Sequence, residues 1–192
     1  MLPFDPPLPA GLHCAWLAYR HGEPAEPAVR AWLGERLGCP PEAVVLSRAG
    51  RGRPRLEHPA LDVNWSHSGE GLLVASGEGL RVGIDLERVH ARPRALELAR
   101  RFFAAPELDW LEAQPPALRD TAFLRLWCAK EAVLKAHGHG LAFGLHRLVF
   151  LERDGALQLV DTAPALGAPD AWTLRECVPH AGYRAALAWR VG

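Results

Sequence analysis

A chain of 192 residues can form one large domain or two small halves that share a core. Its 22 basic and 22 acidic residues cancel, which excludes an overall field for nucleic acid or an anionic membrane and confines any basic site to a local patch. The four cysteines form no CxxC pair and read as reduced thiols. The Pro-rich start lacks the charged region of a secretory signal, and no apolar run approaches the roughly 20 residues of a membrane span, so a cytoplasmic protein is expected.

In chain order, Leu12 to Tyr19 reads as a strand, and Pro27 opens a helix with apolar Val29, Trp32, Leu33 and Leu37 that Gly38 and Pro40 end. Ala43 to Leu46 is a short strand candidate, and Ser47 to Pro59 an Arg-rich loop or hairpin. Strands follow around Leu72 to Ser76 and Arg81 to Val89. One helix starts at Pro93, and a longer one runs from about Pro116 to His137, stopped by Gly138 and Gly140. Leu145 to Val191 alternates as three strands, with turns at Asp154-Gly155 and His180-Gly182. The order gives an α+β fold, with two similar halves, 1–92 and 93–192.

In the strand Val82-Gly83-Ile84-Asp85-Leu86-Glu87 the apolar residues share one face, and Gly83, Asp85 and Glu87 the other. The two carboxylates sit about 7 Å apart along the strand. Like charges so held suit a cation between them, and oxygen ligands in small number suit Mg²⁺. A solvent-facing strand side has the same pattern. Gly83 leaves room for something to approach the backbone.

On the long helix, residues four apart form the row Phe123, Trp127, Glu131, Lys135. Two aromatics turn that row inward, where an unpaired carboxylate is costly. Either Lys135 is a simple helical partner for Glu131, or Glu131 becomes a third carboxylate where the helix crosses the acidic strand. Of the 22 basic residues only Lys130 and Lys135 are lysines, both in the segment WCAKEAVLK. Lys130 projects about 100° away from Glu131 and is expected to be the more peripheral of the two.

Ser66 and His67 lie in NWSHSG. Adjacent residues of an extended segment point apart, which disfavours a Ser/His nucleophile pair; hydroxyl, imidazole and backbone amides suit phosphate gripping better. Arg48, Arg51, Arg53 and Arg55 form a local basic patch whose guanidinium forks match phosphate oxygens, though a solvated Arg-rich loop accounts equally well for Arg51 and Arg55.

The order NWSHS, VGIDLERV, RLWCAKEAVLKAHGHGL resembles the Sfp-type 4′-phosphopantetheinyl transferases, with Gly52-Arg53-Pro54 similar to the family's Gly-Lys-Pro and ARRFFA at Ala99 to Ala104 similar to its A-x-R-F-F stretch. The resemblance implies two α/β halves related by a pseudo-twofold axis, with coenzyme A between them. It implies Asp85, Glu87 and Glu131 as Mg²⁺ ligands, and Lys135 as the lysine near the scissile bond. Arg53, Ser66 and His67 are the implied phosphate-binding positions, and Arg48 and Lys135 are expected with them to bind coenzyme A. Glu131 is the candidate base and Lys135 the stabiliser of phosphate charge. The implied reaction moves the 4′-phosphopantetheine arm of coenzyme A to a serine of an apo acyl- or peptidyl-carrier protein, in a monomer with no nucleic-acid or membrane partner. A Mg²⁺-dependent phosphodiesterase and a non-catalytic module that binds coenzyme A or a carrier protein are the alternatives. Arg53 departs from the family's lysine, and the region before Val29 is short and Pro-rich.

Overall fold

A computed structural model describes residues 7–48, 52–138 and 140–192; Arg51 of the arginine patch lies outside them. Strands β1 (Leu12–Ala18), β4 (Leu61–Ser68) and β5 (Gly71–Glu78) form an antiparallel sheet in the order β1-β5-β4, and β6 (Leu80–Arg88), β9 (Thr173–Cys177) and β10 (Tyr183–Val191) a second in the order β6-β10-β9. Helix α1 (Glu26–Leu37) buries Val29 and Leu33 against Leu72 and Val74 on the outer face of the first sheet. Leu73, Ala75 and Leu12 on its inner face meet Val82, Ile84, Leu86 and Leu187 of the second. Helix α4 (Pro116–His137) covers the other face of that second sheet. The result is a helix–sheet–sheet–helix stack, an α+β fold in which each sheet buries both faces.

Gly38 ends α1 and Gly138 ends α4, each in the left-handed region (φ 66° and 96°) that glycine adopts without steric penalty. Gly83 shows what approaches the acidic strand. A Cβ there would lie 2.0 Å from the Ala132 carbonyl and 2.3 Å from the Ala136 amide, so the space it leaves is filled by the backbone of α4.

The two sheets also meet along β4 and β6, and there side chains replace the backbone ladder. Asp62 Oδ2 accepts from the Val82 amide at 2.8 Å, Asn64 Oδ1 from Ile84 at 2.9 Å and Ser68 Oγ from Arg88 at 3.0 Å. Ser66 keeps the alternation, donating to Asp85 Oδ1 at 2.9 Å. One face of β4 is therefore polar though inward-facing. β4 is absent from the expected elements, although Leu61, Val63 and Trp65 alternate with Asp62, Asn64 and Ser66.

Other differences are local. Ala43 to Leu46 is not a strand: Pro41–Ala43 is a 3₁₀ turn, and β2 (Leu46–Ser47) pairs with β3 (Arg55–Leu56). Helix α2 (Ala95–Phe102) is followed by an unforeseen α3 (Ala105–Glu112). The C-terminal region has four strands, because β7 (Leu148–Arg153) and β8 (Ala156–Thr162) form a hairpin around Asp154-Gly155. Both turn residues have positive φ, 52° and 81°, as a tight two-residue hairpin turn requires. Lys130, expected at the periphery, is fully buried: its ammonium pairs with Glu107 of α3 at 2.6 Å.

Candidate functional site

Helix α4 lies along the Gly83-Asp85-Glu87 face of β6. Asp85 is buried, and its Oδ1 accepts from Lys135 Nζ at 2.6 Å and from Ser66 Oγ at 2.9 Å, while Lys135 also donates to Ser66 Oγ at 2.9 Å. These three side chains close a triangle. The second oxygen, Asp85 Oδ2, is buried without a hydrogen-bond partner. Glu87 is half-buried and bound by Arg92 Nη2 at 2.6 Å. Nothing in the spacing of Arg92 marked it as a participant.

Glu131 is 7% exposed. Burial first, then the neighbouring carboxylate of Asp85, push its pKa up to about 7, with Glu87 adding to the rise and Lys135 opposing it. Burial and Asp85 likewise raise Glu87, against the pull of Arg92. Burial alone would lower Lys135; Asp85 and Glu131 outweigh it and raise the ammonium. The three acids thus repel one another across one small volume, and Lys135 is their shared counter-charge.

The donor set is one a hard divalent cation can use: carboxylate oxygens only, one of them buried and unpartnered. Among the described residues, however, no three His, Cys, Asp or Glu side chains are disposed as a ready-made metal cage. Lys135 holds one oxygen of Asp85, and Arg92 one of Glu87.

Lys135 also faces a cavity of about 290 Å³, whose walls include Arg48, Arg53, Trp65, Gly138 and Gly140. Arg48 lies 5.2 Å over the Trp65 ring and pairs with Glu26 at 3.0 Å, both at the surface. Arg53 is committed differently. Its guanidinium grips Asp62 with two bonds of 2.9 and 2.7 Å and also donates to the Val63 and Val82 carbonyls, leaving only Nε unpartnered. Its charge is largely answered inside the protein.

Ser66 and His67 point to opposite sides of β4. Ser66 is buried in the Asp85 triangle; His67 is exposed and stacks on Tyr19 with ring centroids 4.7 Å apart. Burial, with Lys135 and His21 as nearby positive charges, lowers the His67 pKa and favours a neutral imidazole. The structure therefore unites Ser66, Asp85, Glu87, Glu131 and Lys135 and puts Arg48, Arg53 and Lys135 around one cavity, with His67 facing away from Ser66. Cys128 is buried beside this group, its Sγ 3.6 Å from the Arg184 carbonyl. Such an arrangement can hold an anion at Lys135 while the acids take up a cation or a proton.

Residues 81–188 match the family model of the 4′-phosphopantetheinyl transferase superfamily. The chain is 36% identical over 165 residues to the 4′-phosphopantetheinyl transferase HetI of Nostoc sp., covering 83% of this chain and 66% of the relative. It is 34% identical over 136 residues to the 4′-phosphopantetheinyl transferase psf-1 of Bacillus pumilus, covering 70% and 57%. It is 29% identical over 134 residues to the human L-aminoadipate-semialdehyde dehydrogenase-phosphopantetheinyl transferase, covering 64% and 43%. The matched region thus spans from under half to about two thirds of these relatives' length.

Proposed function

The chain belongs to the 4′-phosphopantetheinyl transferase superfamily, and on that premise we propose that it transfers the 4′-phosphopantetheine arm of coenzyme A to a serine of an apo acyl- or peptidyl-carrier protein. The observation that carries the reading is Lys135, which touches Asp85 on one side and the Arg48/Arg53 cavity on the other. A diphosphate in that cavity would have its charge answered by Lys135 next to the acidic cluster.

The serine oxygen attacks the phosphorus that bears pantetheine, and the bond to the second phosphate breaks. Adenosine 3′,5′-bisphosphate leaves with the electron pair. Glu131 takes the serine proton, directly or through a water, as a carboxylate that burial and Asp85 make more basic than usual in the metal-free protein. Lys135 stabilises charge on the phosphates. Asp85, Glu87 and Glu131 would hold Mg²⁺, which when bound would help neutralise the charge gathering on the departing 5′-phosphate of adenosine 3′,5′-bisphosphate. Ser66 positions Asp85 and Lys135, Arg48 and Arg53 line the cavity at the nucleotide end, and His67 offers a neutral imidazole beyond it.

We place the activity in the cytoplasm, in keeping with four free cysteines, and in a monomer of two pseudo-twofold halves, 1–92 and 93–192. Two three-stranded sheets, each with a helix on its outer face, are in keeping with two halves, although β6 crosses the 92/93 boundary by joining the second sheet. No described helix is long and apolar enough to cross a membrane.

Incubation with coenzyme A, MgCl₂ and a panel of apo carrier proteins, read by intact mass, tests the reading. One pantetheinylated serine per acceptor is expected, and Glu131→Gln should slow transfer on the order of 10²–10⁴-fold. Coenzyme A cleavage without an acceptor would instead identify a phosphodiesterase, and binding with no turnover a non-catalytic module.

A further inference from the structure

The proposed chemistry uses one of the chain's two lysines and leaves Lys130 without a part. Its surroundings are more constrained than those of any group in the site. Nζ donates to Glu107 Oε1 at 2.6 Å, to the Leu145 carbonyl at 2.8 Å and to the Leu148 carbonyl, so all three ammonium protons are used. Both side chains are 0% exposed. Glu107 is itself fixed: Oε1 accepts from the Phe150 amide at 2.8 Å and Oε2 from the Ala104 amide at 2.9 Å.

Stability alone does not call for charges here. Desolvating two ions costs about as much as their attraction returns, and apolar residues of similar volume often serve as well or better. What an ammonium has that a thioether lacks is direction. Its acceptors come from α3 and from the segment entering β7, so they hold Nζ from separate parts of the chain. Through its stem they fix the rotation of α4 about its own axis.

Glu131 is the next residue, and Lys135 lies one turn beyond on the same row. A roll of about 10° moves a group about 6 Å from a helix axis by roughly 1 Å. A misplacement of that size at a reacting centre can cost on the order of 10²-fold in rate.

We infer that Lys130 is a positioning residue: its buried ammonium, held by Glu107 and the Leu145 and Leu148 carbonyls, sets the roll of α4 and hence the placement of Glu131 and Lys135. The inference rests on the transfer reading above. The same bonds anchor the segment after α4, which gives Gly138 and Gly140 to the cavity wall.

The test compares wild type, Lys130→Met, Lys130→Met/Glu107→Gln and Glu107→Gln. Each is assayed for transfer kinetics, calorimetric affinity for coenzyme A and thermal unfolding. The single Met variant should lose both melting temperature and kcat. The double variant, which no longer buries a lone carboxylate, should recover part of the lost melting temperature while kcat stays down by on the order of 10- to 100-fold, with KM and Kd for coenzyme A changing far less. Recovery of kcat together with stability would make Lys130 merely structural and overturn the inference, as would wild-type kcat in both Met variants. If the Met variants do not fold, Glu107→Gln decides: it keeps the volume and loosens the cage, and an unchanged kcat overturns the idea. A wild type that transfers nothing to any carrier overturns the functional reading itself, and this inference with it.

Discussion

Lys130 and Lys135 ride on the same helix, each 2.6 Å from a carboxylate, but their regions differ in what surrounds the pair. Around Lys130 every ammonium proton has a protein acceptor, and no surface is exposed. Lys135 is 26% exposed, uses Asp85 and Ser66, and borders a cavity. The first region is saturated; among the described residues, the second has one buried carboxylate oxygen unpartnered and no third acceptor for the Lys135 ammonium. An ion pair of the same length can therefore be finished structure in one place and binding capacity in another. Counting the remaining donors and acceptors tells them apart.

The largest expected effect breaks the saturated region. Lys130→Met should cost about 3–5 kcal/mol by chemical denaturation, since it strands a buried carboxylate. Burial already raises Glu107, with Lys130 restraining the rise; without that restraint the folded pKa climbs further. A raised folded pKa means that the native state binds more protons, so the variant should lose stability as pH rises above about 4.5 and look best in acid. Lys135→Met, at a site that water can reach, should cost less, about 1.5–3 kcal/mol.

The open region can be sharpened by pH. Glu131, at about 7 when folded, binds a proton more readily in the native state than in the unfolded chain. Its contribution is present below about pH 4.5 and lost as pH rises through 7. In chelator, Glu131→Gln should remove that decline, gaining on wild type between pH 5 and 8 by on the order of 2–3 kcal/mol. Equal pH slopes for the two proteins would show that Glu131 is not under the strain inferred. A smaller effect is expected at the contact that brings helix and strand together. Gly83→Ala places a methyl against the Ala132 carbonyl and the Ala136 amide and should cost about 1–3 kcal/mol, with a drop in transfer as α4 lifts from Asp85.

Both periodicities that build the site could be read from the sequence. The strand alternation set Asp85 and Glu87 on one face, and the four-residue row carried Glu131 and Lys135 inward with Phe123. The place of Lys130 could not be read, because its partner Glu107 sits on α3, a helix of only eight residues squeezed between two others. Arg53 reads as a phosphate fork until Asp62 takes both arms, and Asp62 belongs to β4, a strand absent from the expected elements. In each case the missing information is a tertiary partner rather than a local propensity.

The side-chain joint between β4 and β6 has a further consequence. Both are outermost strands of their sheets, where bare backbone donors normally invite pairing by another molecule's strand. Here Asp62, Asn64 and Ser68 plug the amides of Val82, Ile84 and Arg88 one by one. The chain shields itself from edge-to-edge aggregation with the same residues that bring Ser66 to Asp85.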